Sequence, residues 1–442
     1  MIRLIFIFCC ELLTFNVYSQ SILTYFPEPN GEVNCLSIKS DTIYIGGVFA
    51  AIGGINRNNI AAVNARTGQV LPLNPTINST IVLLTYYQNK LYFGANDNFH
   101  SGLEGGIESI DLSNGTITNW KAKLAGRNSN YYGRPKAIAA YNNNIFISGS
   151  FDSINGEPKK NFAVINATTG NINNSYPLLE NELGGISSMV IKDSILYANY
   201  SAYNLNTGQK TAWNPNPDNI TPLIFAVGNN TIYTGGYFSS IGKQLRNRIA
   251  ELDLINGNAN SWNPLNNVST HHIMSIGPTN NTVFVSRYVS TTPVSYSLES
   301  YDKITGNLID TWIPNSITKT MVAYGDTIIL CGQFTKLGWI NRISLVALTR
   351  GLSLGVNELN NFIQKISVFP NPATNKISFS LNETNNKTLN VIITNILGKT
   401  VFSNTLNYQK EIEIPLTDLN NGIYFIKIQS GNNTYAGKFV KE

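Results

Sequence analysis

A short phrase recurs along the chain, and this repeat constrains the fold more than any other feature of the sequence. Its first copies occupy residues 41–47, 89–95 and 143–149, each with an Asp or Asn followed by alternating apolar residues and a small residue. The apolar third position returns at Ile43, Leu91, Ile145, Ile195, Ile232, Val283 and Ile328, with spacings of 48, 54, 50, 37, 51 and 45 residues. A period of this size indicates one supersecondary unit per repeat, with neighbouring units burying each other's apolar faces.

Each unit divides into four short β-strands. In the first unit we predict strands at residues 33–37, 42–49, 60–64 and 69–73, separated by turns at Ser40-Asp41 and Thr67-Gly68. Asn-Gly and Thr-Gly pairs supply the positive φ that tight hairpins need, and no long window shows apolar residues at helical spacing. Four strands per roughly 40–50 residues are typical of a propeller blade. The sequence therefore predicts an all-β fold with a seven-bladed β-propeller over residues 20–350.

The seventh unit ends differently from the others. It finishes at Leu348-Thr349-Arg350-Gly351 without a clear fourth strand. Residues 22–27, before the first repeat, have the aromatic and Pro ending that other fourth strands show. We predict that this N-terminal strand completes the last blade, which removes a free sheet edge that would otherwise favour aggregation.

Four repeats carry a longer motif. Gly46-Gly47-Val48-Phe49, followed by Ile52-Gly53 and Asn56-Arg57, returns as Gly235-Gly236-Tyr237-Phe238 with Ile241-Gly242 and Arg246, and related copies surround Phe151 and Phe334. The motif is similar to the delta-60 type of propeller repeat. The resemblance implies the fold and leaves the function open, since propellers include enzymes, receptors and scaffolds.

The N-terminus resembles an export signal. Arg3 precedes an apolar run, and residues 17–19 suit a signal peptidase cut before Gln20. A membrane anchor is the alternative, although Glu11 interrupts the run before the roughly 18 apolar residues that a span needs. A lipoprotein is also open, although no small residue precedes Cys9 or Cys10.

The C-terminus carries a second export feature. After a predicted linker at 351–364, residues 365–442 form a compact β pattern that resembles the C-terminal sorting domain of type IX secretion substrates in Bacteroidetes. The residues that carry the resemblance include Pro370, Asn371, Pro372, Gly398, Gly422, Tyr424 and Lys427. It implies a small immunoglobulin-like β-sandwich, the type IX machinery and its C-terminal signal peptidase as partners, and a product that is secreted or attached to the outer cell surface. An appended sandwich domain without a sorting role is the alternative.

Composition argues against several function classes. The formal charge is +5 over 442 residues without a Lys/Arg cluster, which does not favour nucleic acid. His100, His271 and His272 have no partner at metal spacing, so we expect no metal or other cofactor and interpret the histidines as solvated loop residues. Once a leader is removed, Cys35 and Cys331 either pair or stay as buried thiols.

Binding residues are sought on the rim formed by the loops between second and third strands. Four basic residues share one position in these loops, and a ring of them would hold an acidic glycan; the alternative is that each binds its own loop carbonyls. Trp339 replaces the small residue Gly54 of the equivalent loop, so its indole is either a contact for a sugar or protein or tucked in. The basic residues are Arg57, Lys159, Arg246 and Arg342.

The predicted function is a non-enzymatic binding or adhesion module for a glycan or protein. The alternative is a glycan hydrolase or lyase with carboxylates near the ring axis, for which the rim offers Glu32, Glu180, Glu182 and Asp218. Four sites also resemble the Asp-Ser/Thr-aliphatic sequon for O-glycosylation in exported Bacteroidetes proteins, although three of them are hairpin turns. The four candidate O-glycosylation residues are Thr42, Ser153, Ser194 and Thr327.

Overall fold

The fold is all-β in every part of the chain that the structure describes. The structure, a computed structural model, describes residues 20–95, 105–126, 133–176, 186–219, 223–265, 271–289, 294–350, 363–381, 388–396, 400–409, 411–430 and 433–442. These residues contain no helix and fall into two compact units, within Val17–Gly351 and Leu352–Glu442. The predicted leader at 1–19 lies outside the described residues.

The described part of the first unit contains seven antiparallel sheets of three or more strands that follow one another along the chain, and the repeated phrase forms the second strand of each. Its strands are β1 Gln20–Ile22, β2 Glu32–Lys39, β3 Thr42–Val48, β4 Ala51–Ile52, β5 Ile55–Asn56, β6 Ile60–Asn64, β7 Ile81–Tyr87, β8 Lys90–Ala95, β9 Gly106–Asp111, β10 Thr116–Ala125, β11 Arg134–Tyr141, β12 Asn144–Ser150, β13 Ser153–Ile154, β14 Glu157–Pro158, β15 Phe162–Asn166, β16 Met189–Lys192, β17 Ile195–Ala198, β18 Ser201–Asn204, β19 Gln209–Lys210, β20 Ile224–Val227, β21 Thr231–Gly235, β22 Ser240–Ile241, β23 Gln244–Leu245, β24 Ile249–Asp253, β25 His271–Pro278, β26 Thr282–Val289, β27 Ser295–Asp302, β28 Leu308–Trp312, β29 Thr318–Tyr324, β30 Thr327–Gly332, β31 Lys336–Leu337, β32 Ile340–Asn341 and β33 Leu345–Arg350.

We number the sheets in chain order. Sheet 1 is β2-β3-β6, sheet 2 is β7-β8-β9-β10 with β13-β14 from the next repeat added beside β10, sheet 3 is β11-β12-β15, sheet 4 is β16-β17-β18-β19, sheet 5 is β20-β21-β24, sheet 6 is β25-β26-β27-β28, and sheet 7 is β29-β30-β33-β1. Two-stranded ribbons that the sequence did not predict, β4-β5, β13-β14, β22-β23 and β31-β32, lie between the second and third strands of sheets 1, 3, 5 and 7.

The predicted fourth strand is short in the sheets that carry the longer motif. In sheet 1 the expected strand at 69–73 is reduced to one bridge between Val63 and Val70. Leu71 still donates its amide to the carbonyl of Ala62, but the carbonyl of Leu71 accepts from the side chain of Arg57 at 2.8 Å. The prediction of a full strand is wrong here because a guanidinium takes an acceptor that a ladder would use.

The N-terminal strand joins sheet 7. β1 pairs antiparallel with β33, with Ser21 opposite Thr349, and the amide of Leu23 donates to the carbonyl of Ala347 at 2.9 Å. We predicted this strand at 22–27, and its paired part is Gln20–Ile22. The chain then turns, with the amide of Phe26 donating to the carbonyl of Leu23, so the strand ends earlier than the sequence pattern indicated.

Sheets 1 and 7 also contact each other directly. The Lys319 Nζ donates to Asn34 Oδ1 at 2.5 Å, and the hydroxyl of Tyr324 donates to Asp41 at 2.9 Å. Apolar side chains of both sheets share one buried cluster that includes Val33 and Cys331. The first and last repeats of the unit are therefore packed together.

Tryptophans join neighbouring sheets elsewhere in the unit. The indole N–H groups of Trp120, Trp213 and Trp262 donate to the carbonyls of Asn166, Asp253 and Asp302 in the next repeat. The three side chains are buried, so truncation of one to Ala is expected to cost about 3–5 kcal/mol of unfolding free energy. They act as packing residues between sheets.

The two thiols of the described residues are free and buried. Cys331 faces the cluster shared by sheets 1 and 7. Cys35 belongs to a different cluster, with Tyr44, Ile81 and Leu91, between sheets 1 and 2. Burial raises the pKa of Cys331 to about 12, and burial, with Cys331 as a second cause, raises the pKa of Cys35. The structure thus places each thiol in an apolar core.

The C-terminal unit consists of two sheets over one apolar core. One sheet has the order β34-β40-β39-β36-β37 and the other is β35-β38. Side chains of both, including Phe379, Val391 and Ile414, lie in the same buried cluster. The strands are β34 Ile363–Lys365, β35 Lys376–Phe379, β36 Thr388–Asn395, β37 Thr400–Asn407, β38 Ile412–Pro415, β39 Gly422–Ser430 and β40 Asn433–Lys441.

Candidate functional site

Two of the predicted basic residues have the same structural role in their repeats. The guanidinium of Arg57 donates to the carbonyls of Asn56 and Leu71, and that of Arg246 donates to those of Leu245 and Asn260. In each repeat the second acceptor lies 14 residues after the arginine. Burial lowers the pKa of Arg246. These side chains tie the loop to the segment that follows the third strand.

Arg342 uses the N-terminal segment in the same way. Its guanidinium donates to the carbonyls of Leu23 and Phe26 and forms a 2.8 Å ion pair with Glu28. The fourth basic residue, Lys159, donates its backbone amide to the carbonyl of Asp152. The arginines that would form a basic ring for an acidic glycan are thus engaged with carbonyl groups inside the unit.

A second side-chain contact holds the start of the rim loop in three repeats, those of sheets 1, 5 and 7. In the repeats of sheets 1 and 7 the side chains of Asn30 and Asn315 accept backbone N–H groups just after the motif Phe, at Ala50 and Thr335. Asp218 takes this position beside sheet 5, where its carboxylate accepts the amide and hydroxyl of Ser239. A carboxylate therefore stands where the repeats of sheets 1 and 7 have a neutral amide.

Arg248 is the second departure in the sheet 5 repeat. The residue just before the third strand has a positive φ in all four motif repeats: 62° at Asn59, 64° at Asn161, 67° at Arg248 and 55° at Ser344. Asn tolerates this left-handed conformation because its short polar side chain hydrogen-bonds locally, whereas a long side chain there is strained. Strain of this kind is found at functional sites more often than elsewhere.

Tyr237 is the third departure, and it contacts Arg248. The motif position between Gly and Phe holds Val48, Ser150 and Gln333 in the other repeats. In sheet 5 it holds Tyr237, whose ring is 39% exposed and lies 4.8 Å from the guanidinium carbon of Arg248. This is a cation–π distance.

The three departures line one pocket. Its volume is about 240 Å³, and Asp218, Asn219, Tyr237, Ser239, Asn247 and Arg248 are among its lining residues. Such a surface combines an aromatic face with carboxylate, amide, hydroxyl and guanidinium groups, so it offers both donors and acceptors within a small volume. Of the two rim acids that the structure describes, Glu32 and Asp218, Asp218 lines this pocket. We call it the sheet 5 pocket.

The charge state of Asp218 follows from its hydrogen bonds. Partial burial opposes ionisation, but the hydroxyl of Ser239 and the amides of Ser239 and Ser240 together lower the pKa of the carboxyl below its ordinary value. Asp218 is therefore ionised beside the positive Arg248.

His272 extends the aromatic surface from this pocket. It lies in β25, so its interpretation as a solvated loop residue is wrong; its Nε2 is 3.2 Å from the hydroxyl of Tyr237. His100 lies outside the described residues, and for His271 only the backbone is described. Within the described ranges no group of three His, Cys, Asp or Glu residues is arranged to hold a metal ion.

Trp339 lies at the tip of the β31-β32 ribbon. Gly338 has φ 61°, the conformation that two-residue hairpin turns require at their first position, and the next side chain points outward. The indole of Trp339 is 94% exposed, and Ile340 beside it is 39% exposed. The tryptophan is thus accessible on the ribbon and not tucked in.

The remaining predicted positions lie in varied environments. Glu32 accepts from Gln333 and is 3.8 Å from Lys319, whereas Glu180 and Glu182 lie outside the described residues. Of the glycosylation candidates, Thr42, Ser153 and Thr327 lie in strands β3, β13 and β30, and Ser194 lies in a turn.

Two of the predicted sorting residues, Asn371 and Tyr424, contact the last strand, β40. Asn371 donates to the carbonyl of Lys438 and accepts the amide of Val440, and the Pro370 and Pro372 on either side are exposed. Tyr424 is buried, stacks on Phe439 and donates its hydroxyl to Asn420. The other three positions are Gly422 at the start of β39, Lys427 exposed on that strand, and Gly398, which lies outside the described residues.

Residues 367–442 match the family model described as a secretion system C-terminal sorting domain. The match agrees with the resemblance seen in the sequence and implies export through type IX secretion, to the cell surface or the medium. No curated protein matches the chain. Among the described residues, none forms a helix that is long and apolar enough to cross a membrane.

Similar solved structures include β-propellers. The β-propeller domain of Myceliophteria thermophila Cps50 (Swd1) has a TM-score of 0.46 at 11% identity, covering 75% of this chain and 99% of that one. Saccharomyces cerevisiae Sqt1 has a TM-score of 0.41 at 9% identity, covering 95% and 98%. A structure of the mitotic checkpoint complex has a TM-score of 0.46 at 12% identity, covering 74% and 92%.

Proposed function

We propose that this chain is an exported, non-enzymatic carbohydrate-binding protein whose ligand site is the sheet 5 pocket. In this proposal residues 20–350 form a closed seven-bladed β-propeller of the delta-60 type, and residues 365–442 form an immunoglobulin-like sorting domain that the type IX machinery and its signal peptidase recognise. The order of the sheets, the packing of sheet 1 against sheet 7 and the strand β1 support a closed ring.

The observation that carries the proposal is the convergence of three departures from the repeat. Asp218, Tyr237 and Arg248 each differ from the residue at the equivalent position of other motif repeats, and all three line one pocket. Packing does not explain the changes, because the other repeats fold without them and Arg248 occupies a left-handed conformation. A sugar is a suitable ligand for this pocket, because its hydroxyl groups need hydrogen-bond donors and acceptors and its C–H face packs on an aromatic ring.

A binding role is favoured over hydrolysis by the way the pocket uses its carboxylate. Asp218 holds Ser239 as Asn30 holds Ala50, so its function in the loop is one that a neutral amide also performs. Of the described residues that line the pocket, Asp218 is the single acid, whereas glycoside hydrolysis normally uses two carboxyl groups.

The test is a glycan array followed by titration calorimetry with the purified protein. Each site residue is exchanged for its counterpart in another repeat, as Arg248→Asn, Tyr237→Val and Asp218→Asn, because these side chains are already compatible with the loop. We expect each variant to lose affinity at least about tenfold for the array hit while its unfolding free energy changes by less than about 1 kcal/mol. Lys243→Ala, at the exposed tip of the β22-β23 ribbon, serves as the control.

Two outcomes would overturn the proposal. One is a silent array, or a hit whose affinity is the same in the three variants and in Lys243→Ala. The other is the release of shorter glycans during incubation with the wild-type protein and its loss in Asp218→Asn, which would indicate an enzyme.

A further inference from the structure

Four aromatic side chains form a continuous row that starts in the sheet 5 pocket. The rings of Tyr237 and His272 are 4.4 Å apart, those of His272 and Tyr288 are 4.9 Å apart, and those of Tyr288 and Tyr296 are 6.0 Å apart. We call these residues the aromatic row. The pocket function does not account for His272, Tyr288 and Tyr296, since none of these three is among the described residues that line the pocket.

The register of sheet 6 explains why the row forms. His272 lies directly opposite Tyr288, and Tyr288 lies directly opposite Tyr296. Directly opposite residues of antiparallel strands project from the same face of the sheet, so the three rings follow one another across the strands. All three lie within two residues of a strand end on the rim side, where β26 leads into β27.

The row remains accessible to a ligand. His272, Tyr288 and Tyr296 are partly exposed, and Val294, two residues before Tyr296 in the chain, is 49% exposed. A purely structural cluster of this size would be expected to bury its rings, as the tyrosines of the sheet cores do. The ring planes differ by 76°, 42° and 36° from one member to the next, so the row offers successive faces that turn along its length.

Resting on the proposed function, we propose that the aromatic row extends the sheet 5 pocket into a groove for a chain of neutral sugar units. One unit lies in the pocket, and the following units pack their C–H faces on His272, Tyr288 and Tyr296. A neutral chain is favoured because Asp218 and Arg248 have opposite charges and no further acid or base is found among the described pocket residues. The change in ring orientation along the aromatic row matches a polysaccharide chain, because successive sugar units are rotated relative to one another about their linkages.

The experiment measures affinity against chain length. Neutral cello-, xylo- and malto-oligosaccharides of two to six units are titrated into the wild-type protein, Tyr296→Ala and Tyr296→Phe. We expect the affinity of the wild-type protein for one series to rise about tenfold or more with chain length. Tyr296→Ala should lose most of this increase while keeping its affinity for the shortest ligand. Tyr296→Phe should show the same increase as the wild type. Tyr141→Ala, a half-buried tyrosine on sheet 3, is the control and should match wild type.

The outcomes separate the groove from the pocket. The groove proposal is wrong, and the pocket function stands, if short ligands bind and affinity does not change with chain length. The same conclusion follows if affinity increases with chain length equally in the wild type and in Tyr296→Ala. If no oligosaccharide binds and a random peptide library is captured through Tyr296 instead, the groove and the carbohydrate function are both wrong.

Discussion

The guanidinium of Arg342 donates a hydrogen bond to the carbonyl of Leu23 at 3.4 Å, although 319 positions separate the two residues. Arg57 makes the equivalent bond to Leu71 within its own repeat. The N-terminal segment therefore takes the place in sheet 7 that the end of the repeat takes in sheet 1. The pairing of β1 with β33 and the hydrogen bond of Arg342 to Leu23 both join the two ends of the unit.

We expect Arg342→Met to lower the unfolding free energy by about 2–3 kcal/mol, because it leaves two carbonyls and Glu28 without their buried donor. Arg57→Met is the control, since its bonds stay within one repeat. Urea denaturation measures the loss in both variants. Hydrogen exchange at the Leu23 amide should accelerate only in Arg342→Met, and equal protection in the two variants would contradict a role in joining the ends.

Leu23→Pro tests the strand pairing separately. Proline removes the N–H that donates to Ala347, so we expect β1 to detach and expose an edge of β33 that associates with other molecules. Leu23→Ala keeps the N–H and loses only the partly buried side chain. Light scattering at several concentrations should show association for the proline variant and monomer for the alanine variant; monomeric Leu23→Pro would show that β1 does not protect the edge.

The repeat made much of the fold predictable, since a period of one strand phrase every 37 to 54 residues fixes where each second strand lies. The candidate site was predictable only in part. The sequence indicates Asp218 as an acid on the rim, whereas Tyr237 is one residue of the repeated motif and Arg248 belongs to no pattern that predicts a site. The sequence does contain a sign of both residues, because Tyr237 differs from Val48 and Arg248 differs from Asn59 at the equivalent positions of the first repeat. That a left-handed φ makes the Arg248 change costly is visible only in the backbone.

Side-chain direction explains what else the sequence could not give. The four basic residues at one repeat position look like a surface ring in the sequence, but a guanidinium reaches carbonyls up to 14 residues away, as Arg57 and Arg246 do. The aromatic row was hidden for a similar reason. His272, Tyr288 and Tyr296 are neighbours only through the register of three strands, which a single sequence does not fix.

The thiols of the described residues should resist modification in the folded protein. Burial raises the pKa of Cys331 to about 12, so at pH 8 roughly one thiol in 10⁴ is the reactive thiolate. We expect maleimide labelling of Cys35 and Cys331 to be slow in buffer and fast in urea, as read by mass spectrometry. Rapid labelling of the native protein, or a Cys35–Cys331 disulfide in the non-reduced digest, would contradict this placement.

Asp218 and Asn30 form a matched pair for a pH experiment. Each accepts a backbone N–H just after the motif Phe, from Ser239 and from Ala50, but only the carboxylate titrates. The pKa of Asp218 is lowered in the folded protein, so its hydrogen bonds are fully present above the ordinary Asp value of about 3.9 and are lost as the pH falls through the folded pKa.

We therefore expect the amide chemical shift of Ser239 to stay constant from pH 6 to pH 4 and to change only below about pH 3.9, with the midpoint below that value. The Ala50 amide should show no such step, and Asp218→Asn should make Ser239 behave like Ala50. The measurement is an NMR titration of labelled protein, with circular dichroism at each pH to confirm that it is folded. A Ser239 midpoint at or above the ordinary Asp value would show that the loop does not stabilise the carboxylate.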